Sequence, residues 1–164
     1  MKRIIVLGLA LLLACTGAFA QSSKKEKCID FTLSSPDGKD VTLSKIYPSN
    51  KLTMIDFWAS WCGPCRRFNP TLVKIYEKYH SKGLEIVGVS RDKDADSWKN
   101  AIEKDGLKWI HCSDLQYWKC APARAYGVEY IPQSVIVDSE GNIVAARLDE
   151  EELVKLFEEY LGRT

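Results

Sequence analysis

The chain has 164 residues, of which 23 are Lys or Arg and 22 are Asp or Glu, so its formal net charge is +1 at pH 7. This near balance, with no basic stripe along the chain, argues against a nucleic-acid-binding protein. Hydrophobic residues make up 46% of the chain, enough for the core of one ordinary globular domain.

The first 20 residues have the three parts of a secretory signal peptide. A short basic start precedes an apolar run over residues 4–14, and Ala18-Phe19-Ala20 is a small-x-small cleavage site. The apolar run is too short for a comfortable membrane span. We therefore expect an exported, periplasmic protein with no transmembrane segment in its mature form. Leu12-Leu13-Ala14-Cys15 supports an alternative, a lipoprotein anchored through Cys15.

The chain after residue 20 is predicted to consist of a linker and one domain. Removing residues 1–20 takes away Lys2 and Arg3, which leaves 21 basic and 22 acidic residues. Residues 21–27 form a short polar stretch and are predicted to be a solvated linker. Residues 28–164 have the length of one domain.

Within this domain, strands and helices are predicted to alternate after an initial hairpin. The predicted strands are residues 30–33, 40–43, 52–58, 84–90, 107–111, 134–137 and 143–145. The predicted helices are residues 66–82, 94–105, 119–126 and 149–161. This order predicts an α/β fold, a three-layer α/β/α sandwich around a mixed central sheet, with an extra N-terminal β-hairpin.

Cys62 and Cys65 stand at the junction between the predicted strand 52–58 and the helix that follows it. This junction places Cys62 at a helix N-terminus, where unpaired N–H groups and the helix dipole favour a thiolate. Cys65 lies within disulfide reach on the first turn, and Gly63 and Pro64 fix the turn between the two thiols. This arrangement predicts a redox dithiol that performs thiol–disulfide exchange.

Several segments of the chain resemble thioredoxins. Residues 56–65, Asp-Phe-Trp-Ala-Ser-Trp-Cys-Gly-Pro-Cys, resemble their active-site segment. Pro70 matches the proline that kinks their active-site helix, and residues 126–132, which end in Ile-Pro, resemble their cis-proline segment. The N-terminal hairpin, the export signal and an insert around residues 91–117 resemble the TlpA/ResA-like branch. The resemblance implies a thioredoxin-like fold over nearly all of residues 28–164 and an exported thiol–disulfide oxidoreductase.

The resemblance also implies roles for three residues. Cys62 is expected to be the exposed thiol that attacks a substrate disulfide, and the more buried Cys65 then attacks Cys62 and releases the reduced product. Asp56, in an otherwise apolar strand, is expected to be buried below the dithiol with a raised pKa. The resemblance assigns it the acceptance of the Cys65 proton. The alternative is that Asp56 is a structural polar residue with a hydrogen-bond partner.

Ile131, Pro132 and Trp61 are expected to form the substrate-binding surface beside the dithiol. The resemblance implies a cis peptide bond before Pro132, which would let a substrate chain pair with the Ile131 backbone like an added strand. Trp61, directly before Cys62, is expected at the lip of this surface.

Three positions depart from the family pattern. Gly88 stands where thioredoxins have a lysine next to the buried aspartate, and Phe68 stands where many TlpA/ResA-like proteins have a glutamate. Gln133 follows the Ile-Pro segment, where the family often has threonine. Proton handling is therefore expected to depend on Asp56 alone, and substrate preference stays open.

The remaining cysteines have two interpretations. After cleavage the chain would keep five of its six cysteines, because Cys15 is removed. Cys112 and Cys120 are a candidate second disulfide, as a structural staple or a resolving pair, and Cys28 would be left as a half-buried free thiol. The histidines and these cysteines do not have the spacing of a zinc site, so we predict no metal or other cofactor.

These observations favour an exported disulfide reductase that acts on apocytochrome c or other periplasmic protein cysteines. It would receive electrons from a membrane donor of the thiol-reducing type.

Because the direction of exchange depends on reduction potential, a disulfide oxidase or isomerase is the main alternative. A peroxiredoxin-like thiol peroxidase is disfavoured by Ala59 three residues before Cys62. A non-catalytic binding module is disfavoured because both thiols, Asp56 and the Ile-Pro segment are all present.

Overall fold

The computed structural model describes residues 25–162. The expected signal peptide at residues 1–20, and the alternative lipid attachment at Cys15, lie outside this range. Among the described residues, no helix has the length and apolar character needed to cross a membrane.

The described residues form one mixed sheet of seven strands. They are β1 (Thr32–Ser34), β2 (Asp40–Thr42), β3 (Leu52–Trp58), β4 (Leu84–Ser90), β5 (Ile110–Ser113), β6 (Gln133–Asp138) and β7 (Ile143–Ala146). Their order across the sheet is β2-β1-β5-β4-β3-β6-β7. β3, β4 and β5 are parallel neighbours and the other pairs are antiparallel. The mixed sheet is confirmed, and the N-terminal hairpin extends it beyond β5.

Helices cover both faces of the sheet. They are α1 (Gly63–Tyr79), α2 (Ala95–Asp105), α3 (Ala121–Ala125) and α4 (Glu150–Leu161). Because side chains alternate along a strand, Met54 and Trp58 of β3 enter the core beneath α1, α2 and α4. Ile55 and Phe57 enter the opposite core, which contains Ala123 of α3. These three layers confirm the predicted α/β/α sandwich.

Two elements differ from their predicted bounds by three residues, and the others differ by two at most. α1 begins at Gly63 rather than residue 66, because Cys62 caps the helix and its Sγ accepts a hydrogen bond from the backbone N–H of Cys65. β5 occupies Ile110–Ser113 rather than residues 107–111. Leu107 and Trp109 are buried core side chains in the segment before β5, and an apolar run cannot by itself mark the start of a strand.

Residues before the predicted domain boundary at Cys28 also contact the sheet. The backbone N–H of Ile143 donates to Glu26, the N–H of Cys28 donates to Gly141, and Lys27 forms a bridge with Asn142. These contacts pair part of the β7 edge, whose backbone groups would otherwise lack partners. Residues 26 and 27, predicted to be linker, therefore belong to the folded unit.

Candidate active site

Cys62 and Cys65 are joined by a disulfide at the N-terminus of α1. Cys62 is the N-cap residue, and the Cys65 N–H lies 3.1 Å from its Sγ. Pro64 occupies the first turn of the helix, where a missing N–H costs nothing. The Cys65 N–H and the positive end of the helix dipole therefore face the sulfur of Cys62. After reduction they stabilise its thiolate.

The Ile131-Pro132 segment packs against this sulfur. The carbonyl oxygen of Ile131 lies 3.8 Å from Cys62 Sγ, and the peptide bond between Ile131 and Pro132 is cis, as predicted. Cys62 is 4% exposed and Cys65 1%. The expectation that Cys62 is exposed is therefore wrong, because the chain around Ile131 covers it. The expectation that Cys65 is the more buried of the two is confirmed.

Asp56 lies in β3 and is 3% exposed. Burial raises the pKa of its carboxyl to about 7, and no neighbouring charge or hydrogen bond within the described residues opposes that shift. The predicted burial and raised pKa are confirmed. A carboxyl in this state exchanges its proton near neutral pH, as a general acid or base must.

Gly88 is the partner of Asp56 on β4, as predicted, and His111 is the partner of Gly88 on β5. A Cβ at Gly88 would lie 2.6 Å from His111 Nδ1, so the imidazole fills the space where a side chain at residue 88 would start. Burial lowers the pKa of His111 to about 4, and the Leu107 carbonyl only partly offsets this effect. His111 is therefore neutral at pH 7. It adds no positive charge to the row of paired residues that runs across β3, β4 and β5 from Asp56 through Gly88 to His111.

A cavity of about 340 Å³ lies beside Asp56. Its lining comes from β3, α1, β6, α4 and the segment around Pro132: Met54, Asp56, Phe68, Tyr130, Pro132, Gln133, Ser134, Arg147, Leu148, Asp149, Glu150 and Leu153. Phe68 thus adds an apolar wall where many TlpA/ResA-like proteins would offer a carboxylate. The cavity gives the buried carboxyl of Asp56 a route to solvent.

Comparisons with known proteins agree with this geometry. The sequence profile of the Redoxin family matches residues 23–161. The chain belongs to the Redoxin family. It is 28% identical over 138 residues to the thiol-disulfide oxidoreductase ResA of Bacillus thuringiensis, a match that covers 82% of this chain and 77% of that protein.

Solved structures show the same relationship. A thiol-disulfide oxidoreductase from Bacteroides fragilis is 27% identical, with a TM-score of 0.76 over 82% of this chain and 98% of that one. The thioredoxin domain of a thiol-disulfide oxidoreductase from Bacteroides vulgatus is 30% identical, with a TM-score of 0.75 over 84% and 96%. This Redoxin-family protein is therefore a thiol–disulfide oxidoreductase of the TlpA/ResA-like type.

Asp92 supports the active-site segment in a way that the sequence analysis missed. Its carboxylate accepts hydrogen bonds from the backbone N–H of Ser60 at 2.9 Å and from the Ser60 hydroxyl at 2.6 Å. The Ser90 hydroxyl donates to the same carboxylate at 2.8 Å. Asp92 thereby fixes the chain two residues before Cys62. Its place just after β4, where ligand sites of parallel sheets form, is the signal that could have identified it.

A second network holds the start of α1. The Arg66 guanidinium pairs with Asp105 at the end of α2, and Asn69 donates to the same carboxylate at 2.7 Å. Arg66 also donates to the Ser60 carbonyl at 3.0 Å. Together with Asp92, this network fixes both sides of the dithiol segment.

The three other cysteines of the described residues are free thiols in the structure. Cys112 and Cys120 are both fully buried in the core beside α3, and Cys28 is half-buried. Burial raises the pKa of Cys112 far above its usual range and that of Cys120 to about 11. The candidate second disulfide between Cys112 and Cys120 is therefore not formed in the structure, which holds both as free thiols. Within residues 25–162, no group of three or more His, Cys, Asp or Glu side chains is placed to hold a metal ion.

Proposed function

We propose that this protein is an exported disulfide reductase for cysteines of other exported proteins, such as apocytochrome c. One observation carries the proposal: the Cys62–Cys65 disulfide lies at the N-terminus of α1, with the Ile131 carbonyl 3.8 Å from the Cys62 sulfur. A substrate chain that pairs with the Ile131 backbone brings its own disulfide to this sulfur.

The exchange starts from the reduced protein. The Cys62 thiolate attacks one sulfur of the substrate disulfide, whose S–S bond breaks, and the second substrate sulfur leaves as a thiolate that takes a proton from solvent. Cys62 is now held in a mixed disulfide. The dipole of α1 favours this step because its positive end stabilises the thiolate form of Cys62.

Cys65 completes the reaction with the help of Asp56. The thiol of Cys65 passes its proton to the Asp56 carboxylate, and the resulting thiolate attacks the sulfur of Cys62. The substrate sulfur leaves as a thiolate and is protonated in its turn. The substrate has then gained two electrons and two protons, and Cys62 and Cys65 form the disulfide seen in the structure. Asp56 returns its proton to solvent through the adjacent cavity.

A dithiol donor must then reduce the Cys62–Cys65 disulfide. We assign this role to a membrane protein of the thiol-reducing type, because an exported protein is separated from cytoplasmic reductants. The export itself is supported by the signal-peptide pattern of residues 1–20, which a polar stretch over residues 21–27 follows.

The equilibrium reduction potential of the Cys62–Cys65 pair tests the proposed direction. It is measured on the chain from residue 21 in dithiothreitol and glutathione buffers, with Cys65→Ser as the control that cannot form the disulfide. We expect a value near that of thioredoxin, about −270 mV. A value near about −120 mV, typical of strong oxidants, would overturn the reductase proposal and identify a disulfide-forming protein.

A further inference from the structure

Three aromatic side chains form an exposed cluster beside Cys62, which we call the aromatic platform: Trp61, Tyr117 and Trp118. The Trp61 ring lies 5.1 Å from Tyr117 and 5.9 Å from Trp118, and the latter two lie 5.7 Å apart. The three side chains are 44%, 36% and 41% exposed, although large apolar groups are usually covered. The platform is continuous with the redox site because Trp61 directly precedes Cys62.

Two cations contact the platform. The Arg91 guanidinium lies 3.9 Å from the centre of the Trp118 ring, and Lys93 Nζ lies 5.7 Å from that of Tyr117. Arg91 itself is almost completely buried. It donates to the Val128 carbonyl at 3.1 Å and approaches the Trp118 carbonyl at 3.4 Å, so it links the platform to the chain that leads to Ile131.

The backbone beneath the platform is strained. Tyr117 has a φ of 54° and so has Leu115 nearby, in the left-handed region that such residues rarely adopt. Strain of this kind persists only where the surroundings impose it, and it is concentrated at functional sites. Here the ring contacts and the Arg91 hydrogen bonds hold the segment in place, so the rings are presented in a fixed arrangement before any substrate arrives.

We propose that the aromatic platform binds an aromatic or aliphatic side chain next to the reactive cysteine of an extended substrate polypeptide, and disfavours a basic side chain there. The inference rests on the proposed function and names the substrate class of that site. Offset and edge-to-face ring contacts favour an aromatic occupant. Cations already contact two of the three rings, so a lysine or arginine of the substrate would meet like charge where the rings would otherwise attract it.

A peptide series tests this preference. Each peptide carries one cysteine as a mixed disulfide with thionitrobenzoate, and the residue next to that cysteine is Phe, Leu, Gly or Lys. The reduced protein is mixed with each peptide, and the release of thionitrobenzoate gives the rate of attack by Cys62. We expect the Phe and Leu peptides to react about tenfold faster than the Gly peptide, and the Lys peptide to be the slowest.

Matched variants assign the preference to the platform. Tyr117→Asn removes the ring but keeps a residue that tolerates the left-handed backbone, and we expect it to lower the ratio of the Phe rate to the Gly rate at least about fivefold. Lys93→Gln is expected to raise the rate of the Lys peptide relative to Gly. Tyr160→Ser, which removes an exposed tyrosine of α4, is expected to leave both ratios unchanged. Circular dichroism verifies the folding of each variant.

The outcomes separate this inference from the proposed function. If the reduced wild-type protein releases no thionitrobenzoate from any peptide, the exchange chemistry itself fails. If all peptides react at the same rate, or if Tyr117→Asn keeps the full preference for Phe, the exchange chemistry stands and the platform proposal is overturned. The wild-type series alone can overturn it, so the test does not depend on a variant that folds.

Discussion

Asp56 is an isolated acid in the core, and its properties follow from that isolation. Burial raises its pKa to about 7, and no charged neighbour among residues 25–162 lowers it. Its partner across β4 is Gly88, and the next residue in the row, His111, is neutral. In the proposed mechanism, the departures at Gly88 and Phe68 therefore leave proton transfer to one carboxyl and to the cavity that it lines.

We predict that Asp56→Asn slows the resolution of the mixed disulfide by about 100-fold near neutral pH, because an amide cannot accept the Cys65 proton. In the wild-type protein the rate should rise with pH through about 7, the pKa of Asp56, since only the carboxylate acts as a base. The variant should lack this inflection. Single-turnover kinetics of substrate-thiol release between about pH 6 and about pH 8 measure both effects.

Glu159→Gln is the control for this experiment, since it makes the same chemical change at an exposed position of α4. We expect its profile to match that of the wild type. Equal rates for Asp56→Asn and the wild type across the whole pH range would remove Asp56 from the mechanism and leave it as a structural residue.

The raised pKa of Asp56 also predicts the pH dependence of stability. Between the ordinary pKa of 3.8 and about 7, the folded state keeps a proton that the unfolded state releases. The free energy of unfolding therefore falls as pH rises through this range, by about 4 kcal/mol at most. Asp56→Asn should lack this fall and should be more stable than the wild type above about pH 7.

Urea denaturation of the oxidised proteins at a series of pH values tests this prediction. Carboxyls whose pKa is lowered, such as Asp105 and Asp138, add the opposite slope, but they do so equally in both proteins. The difference between the two stability curves thus isolates Asp56. Parallel curves would contradict a raised pKa in the folded state.

At the scale of the elements, β3, β4 and β5 are held together by close packing across Gly88. A Cβ at this position would lie 2.6 Å from His111 Nδ1 and 3.1 Å from Trp58 Nε1. Neither ring can move away easily, because Trp58 and His111 are both buried and contact each other at 5.7 Å between centroids. The packing around residue 88 therefore requires glycine at this position.

We predict that Gly88→Ala lowers the free energy of unfolding by about 1–3 kcal/mol, the usual cost of overpacking a filled core. Gly63→Ala is the matched control, since its nearest contact would be the mobile end of Arg67 at 3.4 Å. That variant should change stability by less than about 0.5 kcal/mol. Urea denaturation of all three proteins measures their free energies of unfolding. Equal stability of Gly88→Ala and the wild type would contradict the prediction and show that His111 can be displaced without cost.

For the whole molecule, the sequence predicted several features that depend on a local pattern or on the family resemblance. The bounds of β3 and β4 follow from continuous apolar runs that end at Trp58 and Ser90, and the cis peptide bond before Pro132 follows from the family resemblance. The burial of Asp56 follows from its place within such a run. The strand bounds and the burial of Asp56 each depend on one local run of apolar residues, so one sequence is enough to identify them.

Long-range packing could not be predicted in this way. The cover that Ile131 gives to Cys62, and the contact of His111 over Gly88, join residues that are far apart in the chain. The aromatic platform needs Trp61 to meet two residues of a loop more than 50 positions later. Pattern and spacing describe neighbours along one element, whereas these contacts depend on how the elements pack against one another.

The number of free thiols in the whole chain can be counted directly. Cys112 and Cys120 lie in one core cluster, and their raised pKa values keep both sulfurs protonated and slow to oxidise. We therefore predict that the oxidised chain from residue 21 shows three free thiols after denaturation without reductant, at Cys28, Cys112 and Cys120. Reaction with a thiol reagent under those conditions gives the number.

The same count on Cys112→Ser should fall by one thiol. If the wild type instead shows a single thiol and Cys112→Ser shows more, Cys112 and Cys120 are paired, and the domain carries a second disulfide next to the helix that follows the aromatic platform.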